Sequence, residues 1–326
     1  MKQLCIMLVL MLLTGCAAGG EVQQTVQQTQ VELQEPVVKT AAQEVKTGLA
    51  IIGSIAKSMN ATPDFPGAAH TDVTYVALTI DEDGVIRQCC IDGVSAVLSF
   101  DATGALQSEE EVEFASKNEL GEAYAMHKAS AIGSEWREQA DAFARYAVGR
   151  KVEELSAGDV MSSVTISTDA ILQAITVAAE TAVRQGAQVG DELTLAVRSH
   201  SDESCSANLD TGADGYAAFR TDAVAVTWRE DTVTSCVADA LETEIPVTAE
   251  GLIGVELSAM QTSMAMISRA SPLAVNFYPA QEWCRRAETL ANGVLGKTAQ
   301  EIREGAGADK DEVFYALLRK AAQERT

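Results

Sequence analysis

Tyr75-Val-Ala-Leu-Thr-Ile-Asp-Glu-Asp-Gly-Val-Ile-Arg-Gln-Cys89 is the stretch from which the fold is read. Val76, Leu78 and Ile80 fall on one side of an extended chain and Tyr75, Ala77 and Thr79 on the other, the alternation of a half-buried strand. Asp83-Gly84 supplies a hairpin turn, because glycine accepts positive φ without strain. Val85 to Ile91 then returns antiparallel. Ala96, Leu98 and Phe100 predict a further alternating strand closed by the turn Asp101-Ala-Thr-Gly104, which completes a three-stranded meander.

The same text recurs as Ala223-Val-Ala-Val-Thr-Trp-Arg-Glu-Asp-Thr-Val-Thr-Ser-Cys236. Three landmark pairs, Cys89 and Cys236, Gly104 and Gly251, Gly149 and Gly296, are each 147 residues apart (236−89, 251−104, 296−149). The expected fold class is therefore α+β, as two tandem repeats over residues 41–188 and 189–326, each an antiparallel β-meander backed by helices. Trp136, Ala140, Phe143, Ala144 and Ala147 form an apolar stripe at helical spacing, with Ser134 as N-cap and Gly149 as the terminating glycine. A second helix is expected from Asp169, with Ile171, Leu172, Ile175, Ala179, Ala182 and Val183 facing inward. Between Ala42 and Met59 the residues Val45, Leu49, Ile52 and Ile55 fit one helical face, and Ile51-Ile52-Gly53 fits the start of a strand; both readings stand at this point.

The chain opens with a charged Met1-Lys2-Gln3 and an apolar run from Leu4 to Leu13, too short for a permanent membrane span. The run ends in Leu13-Thr14-Gly15-Cys16, which resembles the bacterial lipobox. That resemblance implies cleavage after residue 15, a lipid on Cys16, and anchoring on the extracytoplasmic face of the cell membrane. Residues 16–40, rich in Gln, Val, Thr and Glu, are expected to be a disordered tether.

A formal charge of −23 over 326 residues repels phosphate backbones, so nucleic acid is excluded as a partner and membrane attachment falls to the anchor. Five cysteines follow Cys16, an odd number without a C-x-x-C pair, which argues against a disulfide framework or a zinc site. His70, His127 and His200 lie far apart in sequence and suggest no metal site. Neither a nucleophile elbow nor a phosphate loop is present, and no enzymatic activity is expected.

The hairpin residues Thr79, Asp83, Gly84 and Ile86, followed by a helix and then Asp159-Val-Met-Ser162-Ser163-Val164-Thr165-Ile-Ser167 before a last helix, resemble the FMN-binding domains of flavinylated lipoproteins in extracellular electron transfer. The resemblance implies an electron carrier with FMN joined to Thr165 through a phosphodiester, with Asp159, Ser162 and Ser167 beside it. Trp136, Phe143 or Tyr146 would wall the ring, with Trp136 and Phe143, at helical spacing, reading first as core residues, and a redox or envelope protein would be the partner. The family's Gly-Ala before the threonine is Ser163-Val164 here, and the second copy has Gly307 in place of the acceptor. The alternative is a non-redox surface lipoprotein that binds a small solute, a peptide or an envelope partner. Tyr124, Met126 and His127, in the run Lys117 to Ser130, would then line a groove or simply pack inward.

Overall fold

The protein is described by a computed structural model over residues 43–107, 111–160, 164–201, 203–258, 260–264, 266, 278–305 and 312–325. The expected leader and tether, Cys16, Ser162 and Gly307 lie outside the described residues.

Strand β1 spans Lys46–Ser54, β2 Gly67–Ile80 and β3 Ile86–Phe100, paired antiparallel in sequence order. Of the two readings of residues 42–59, the strand is the observed one. Every residue from Thr47 to Gly53 is buried. Leu49 and Ile51 enter one core while Ala50 and Ile52 enter another, so both faces are covered and the two-residue alternation is lost. The expected third strand at Ala96 to Phe100 is corrected as well. It is the far end of β3, which runs unbroken past Gly93 opposite Thr74, and β1 supplies the third strand of the meander. At the hairpin, Asp81 Oδ1 accepts from the Asp83 and Val85 amides at 3.0 and 2.9 Å, and Gly84 takes φ +79°.

The later part of the chain builds a second sheet from β5 (Glu192–Ser201), β6 (Gly215–Arg229) and β7 (Thr232–Val247). Its registers answer the first: Tyr75 pairs with Asp92 in β2–β3, and Ala223 with Asp239 in β6–β7. Two short strands cross over. β4 (Glu113–Phe114) joins β5 through Glu113 opposite His200, and β8 (Met260–Thr262) joins β1 through Met260 opposite Ser54. The sheets are therefore ordered β3-β2-β1-β8 and β4-β5-β6-β7, and each holds a strand from the other part of the chain.

A second exchange links their ends. Ala61 N–H donates to Gly251 O at 2.8 Å and Ala207 N–H donates to Gly104 O at 3.0 Å. Both glycines have left-handed φ, +71° and +68°, and a Cβ on either would stand within 3 Å of a carbonyl oxygen, Thr248 O or Asp101 O. Residues Ala41–Thr326 accordingly form one compact unit.

Helices occupy the outer faces: α1 (Lys117–Leu120), α2 (Trp136–Ala147) and α3 (Asp169–Thr181) on the first sheet, α4 (Tyr278–Asn292), α5 (Ala299–Arg303) and α6 (Glu312–Gln323) toward the second. The central core joins Tyr75, Leu98 and Phe100 of one sheet to Phe219, Leu241 and Ile245 of the other. Two outer cores lie under the helices. Each fully buried large apolar side chain adds about 1.5–3 kcal/mol, so the order helices, sheet, sheet, helices follows from sheets that are apolar on both faces.

Helix α2 begins at Glu135 rather than Ser134: the Glu135 amide donates to Glu138 Oε2 at 2.9 Å, a carboxylate three residues on that satisfies an otherwise orphan donor. It stops at Gly149, φ +84°. The inner face of α3 is Ile171, Ala174, Ile175 and Ala178; of the expected residues, Val183 lies beyond the helix and is exposed. Among the described residues no helix is long and apolar enough to cross a membrane.

Candidate functional site

Thr165 stands exposed between the buried Val164 and Ile166, ahead of α3. Its position is set by Gln139 of α2, whose side chain is wholly buried. Gln139 Oε1 accepts from Thr165 N at 2.6 Å, Thr165 Oγ1 at 3.1 Å and Ile166 N at 3.2 Å. Its Nε2 donates to Ser134 O at 3.0 Å and Ser130 Oγ at 3.2 Å, and Ser130 Oγ lies 3.2 Å from Thr165 Oγ1. One amide thus clamps a helix and two connecting segments, and leaves the threonine hydroxyl at the surface. Sequence reasoning missed Gln139; its sign was a lone amide among the Ala and Phe residues of an apolar stripe.

The other expected residues are arranged differently. Asp159 is exposed and accepts from the Tyr146 hydroxyl at 2.8 Å, with Arg150 stacked 4.4 Å from the Tyr146 ring. Ser167 is exposed. Of the two readings of Trp136 and Phe143, core is the observed one and the ring wall is not: Phe143 is completely buried and Trp136 is 6% exposed. Thr165 is exposed, and its hydroxyl donates to Gln139 Oε1, a bond that a covalently attached group would replace. As ring contacts, Trp136 and Phe143 do not fit, and the amides of residues 165 and 166 are already used by Gln139.

Trp136 is roofed by Lys117, whose Nζ sits 5.0 Å from that ring and 5.5 Å from Tyr124. Burial lowers the Lys117 pKa. Beyond it lies a polar cluster on β2 and β3: Lys57 Nζ is 2.6 Å from Asp72 Oδ2, Ser95 Oγ donates to Asp72 Oδ1 at 2.9 Å, and His70 Nε2 is 2.8 Å from Ser95 Oγ. Burial pushes Asp72 up, and its His70 and Lys57 partners outweigh that and hold it below the usual carboxylate range. Tyr124 and Met126 pack against the helix-side core, and His127 pairs with Glu135, so the inward-packing reading of this run is the observed one.

A cavity of about 220 Å³ opens on the outer face of the second sheet. Trp283, Arg286 and Leu290 of α4 line one side, Phe314 of α6 another, and Asp222 and Asp239 the strands beneath. Trp283 and Arg286 follow Trp136 and Gln139 by the same 147 residues as the cysteine landmarks (283−136, 286−139), a correspondence legible in the sequence. Among the described residues no cluster of His, Cys, Asp and Glu has the arrangement of a metal site.

Compared with protein-family models, curated proteins and solved structures, the chain matches none.

Proposed function

We propose that the protein is a non-enzymatic binding lipoprotein, anchored by a lipid on Cys16 to the extracytoplasmic face of the membrane, whose two halves are copies of one sheet-and-helix module. The copy reading is supported by the matching registers and the reciprocal strand exchange between the sheets. The binding reading rests on one observation, the cavity beside Trp283. It sets the rings of Trp283 and Phe314 beside Arg286, above Asp222 and Asp239 on the strands, which suits a small solute with an apolar body and a polar group that meets Arg286. Titration with indole-3-acetate and phenylacetate, followed through the Leu290 and Val313 methyl resonances of the same lining, tests it. Saturable shifts that vanish in Trp283→Ala and weaken in Arg286→Glu are expected; shifts unchanged by both substitutions reject the reading.

A second reading, a covalent FMN on Thr165 and a role as electron carrier with a redox partner, is favoured by the exposed hydroxyl that Gln139 holds in place. Co-expression with a flavin transferase and mass analysis decide it. One added FMN, lost in Thr165→Ala, is the outcome it requires; an unmodified, colourless protein ends it.

A further inference from the structure

Strand β5 is an edge over most of its length, because β4 reaches only Ser199 and His200. The contacts farther up fix the phase of the strand. Leu193 N–H donates to Gln88 Oε1 at 2.8 Å, Leu193 O accepts from Cys90 Sγ at 3.7 Å, and Val197 O accepts from Lys320 Nζ at 2.7 Å. Backbone groups of alternate residues point the same way in an antiparallel sheet, so those of Leu195, midway between, also turn away from β6.

The matching edge of β1 is closed by main chain. Thr47 and Val183 exchange two hydrogen bonds of 2.9 Å, and Val45 N–H donates to Ala187 O at 3.0 Å. At β5 main chain closes the edge only from Ser199 to Ser201; from Leu193 to Val197 the contacts above are all from side chains, and none of them falls on Leu195.

Space and charge flank that point. One cavity of about 420 Å³ is lined by Cys90, Asn118, Asp141, Glu192, Leu195 and Glu324. Its lining includes three carboxylates and no Lys or Arg; of the three, Glu192 is approached by Arg325 at 3.4 Å, whose closer ion pair is with Asp231 at 2.6 Å. Asn118 Nδ2 donates to Ile91 O at 2.9 Å, which leaves its buried Oδ1 without a partner among the described residues. Along the other end of the edge runs a groove of about 740 Å³ between Phe114, Val197 and Leu317. Its two cations are already paired, Arg198 with Glu113 and Lys320 with Glu119, and Glu312 adds a further negative charge.

We propose that the β5 edge at Leu195 binds a short, extended, basic peptide segment, which adds to the sheet as a further strand. Main-chain pairing at Leu195 supplies the register, the apolar groove takes an alternate side chain, and Lys or Arg side chains meet Glu192, Glu324, Asp141 and Asn118 Oδ1. An anionic segment would face the same carboxylates unpaired, so the charge selects the occupant. This site is separate from the Trp283 cavity, and either can fail without the other.

The test uses the blocked peptide Lys-Val-Lys-Val-Lys, the same peptide N-methylated at both valines, and Glu-Val-Glu-Val-Glu, with binding and Leu195 amide exchange read by NMR. The first peptide is expected to bind, to slow Leu195 exchange about tenfold or more, and to lose at least about tenfold in affinity on N-methylation or in Glu192→Gln/Glu324→Gln, each tenfold being about 1.4 kcal/mol. Equal binding of the N-methylated or the acidic peptide overturns the proposal, as does no binding up to about 1 mM, about −4 kcal/mol. So does a Leu195 amide already protected before any peptide is added. In a monomer, that result would mean a segment of this chain holds the edge; in a dimer, a second copy does.

Discussion

The outer faces of the two sheets each carry helices and end in opposite states. On the first, Phe143 is completely buried, Trp136 lies beneath Lys117, and Gln139 ties three segments shut. On the second, Leu290 stands 147 residues after Phe143, Arg286 after Gln139 and Met264 after Lys117 (290−143, 286−139, 264−117), and a cavity of about 220 Å³ remains beside Trp283. Closing a helix against a sheet takes more than an apolar stripe. A side chain large enough to fill the gap is needed, together with a polar group that satisfies the backbone where connecting segments cross. Where both are replaced, space appears.

The largest expected effect comes from the filler. Phe143→Ala removes a buried ring with nothing placed to collapse into its volume, and a loss of about 3–5 kcal/mol is expected from urea unfolding. Leu290→Ala, at a side chain already partly solvated by the cavity, is expected to cost about 1 kcal/mol. Equal losses would mean that the two faces are packed alike and that the cavity is filled in solution.

The clamp comes next. Gln139→Ala strands the amides of Thr165 and Ile166 and is expected to cost about 2–3 kcal/mol, whereas Arg286→Ala, at an exposed position, should stay within about 0.5 kcal/mol. Amide exchange at Thr165 and Ile166 sharpens the contrast. Both amides should exchange slowly in the wild type and rapidly in Gln139→Ala, with no counterpart effect in Arg286→Ala.

The hairpin Tyr75 to Cys89 and its echo at Ala223 to Cys236 were legible from the Asp83-Gly84 turn and the recurring text, although Tyr75 to Ile80 is buried on both faces and not half-buried as its alternation suggested; α2 and the start of α3 were legible because each buries one face and exposes its period. β1, likewise covered on both faces, has neither a hairpin turn nor an echo to mark it and was ambiguous. The exchange of β4 and β8 could not be read at all: two or three residues carry no period, and their partners lie 85 or more residues away (199−114, 260−54). The site suffered from the same blindness. Thr165 was found by its neighbours in sequence, whereas Gln139, Asp72 and Trp283 matter through contacts that only the fold creates. Trp136 and Phe143, weighed as a ring wall and as core, are core residues packed under the helices.

A third contrast is titratable. Asp92 on β3 accepts from Gly93 N at 2.7 Å and Asn118 N at 3.1 Å, and burial raises its pKa to about 6 even so. The folded value lies above the unfolded one near 4, so the native state binds more protons between them. Asp92 therefore favours folding at low pH, and its contribution falls as pH rises from about 4 to about 6, by about 3 kcal/mol at most. Asp92→Asn should flatten that part of the stability profile. A profile equally steep in the variant would assign the slope to other carboxylates.

The smallest effect asks whether Lys117 belongs to the seal or merely lies over it. Its stem packs on Gly93, where a Cβ would stand 3.3 Å from Lys117 Cδ, and its ammonium lies over Trp136 and 4.0 Å from Asp72. Lys117→Met keeps the stem and installs the residue type found at Met264. The cation–π contact is worth about 0.5–2 kcal/mol, but removing it also removes the cost of holding an ammonium out of water, which its lowered pKa records. The two terms oppose each other, so stability should change by less than about 1 kcal/mol, while Trp136 fluorescence shifts as the charge above the ring disappears. Gln139 and Phe143 would then keep the first face closed without Lys117. A loss above about 2 kcal/mol would instead make the lysine part of the seal, and the absence of a cation at Met264 would join the missing ring and the missing clamp as a cause of the cavity on the second face.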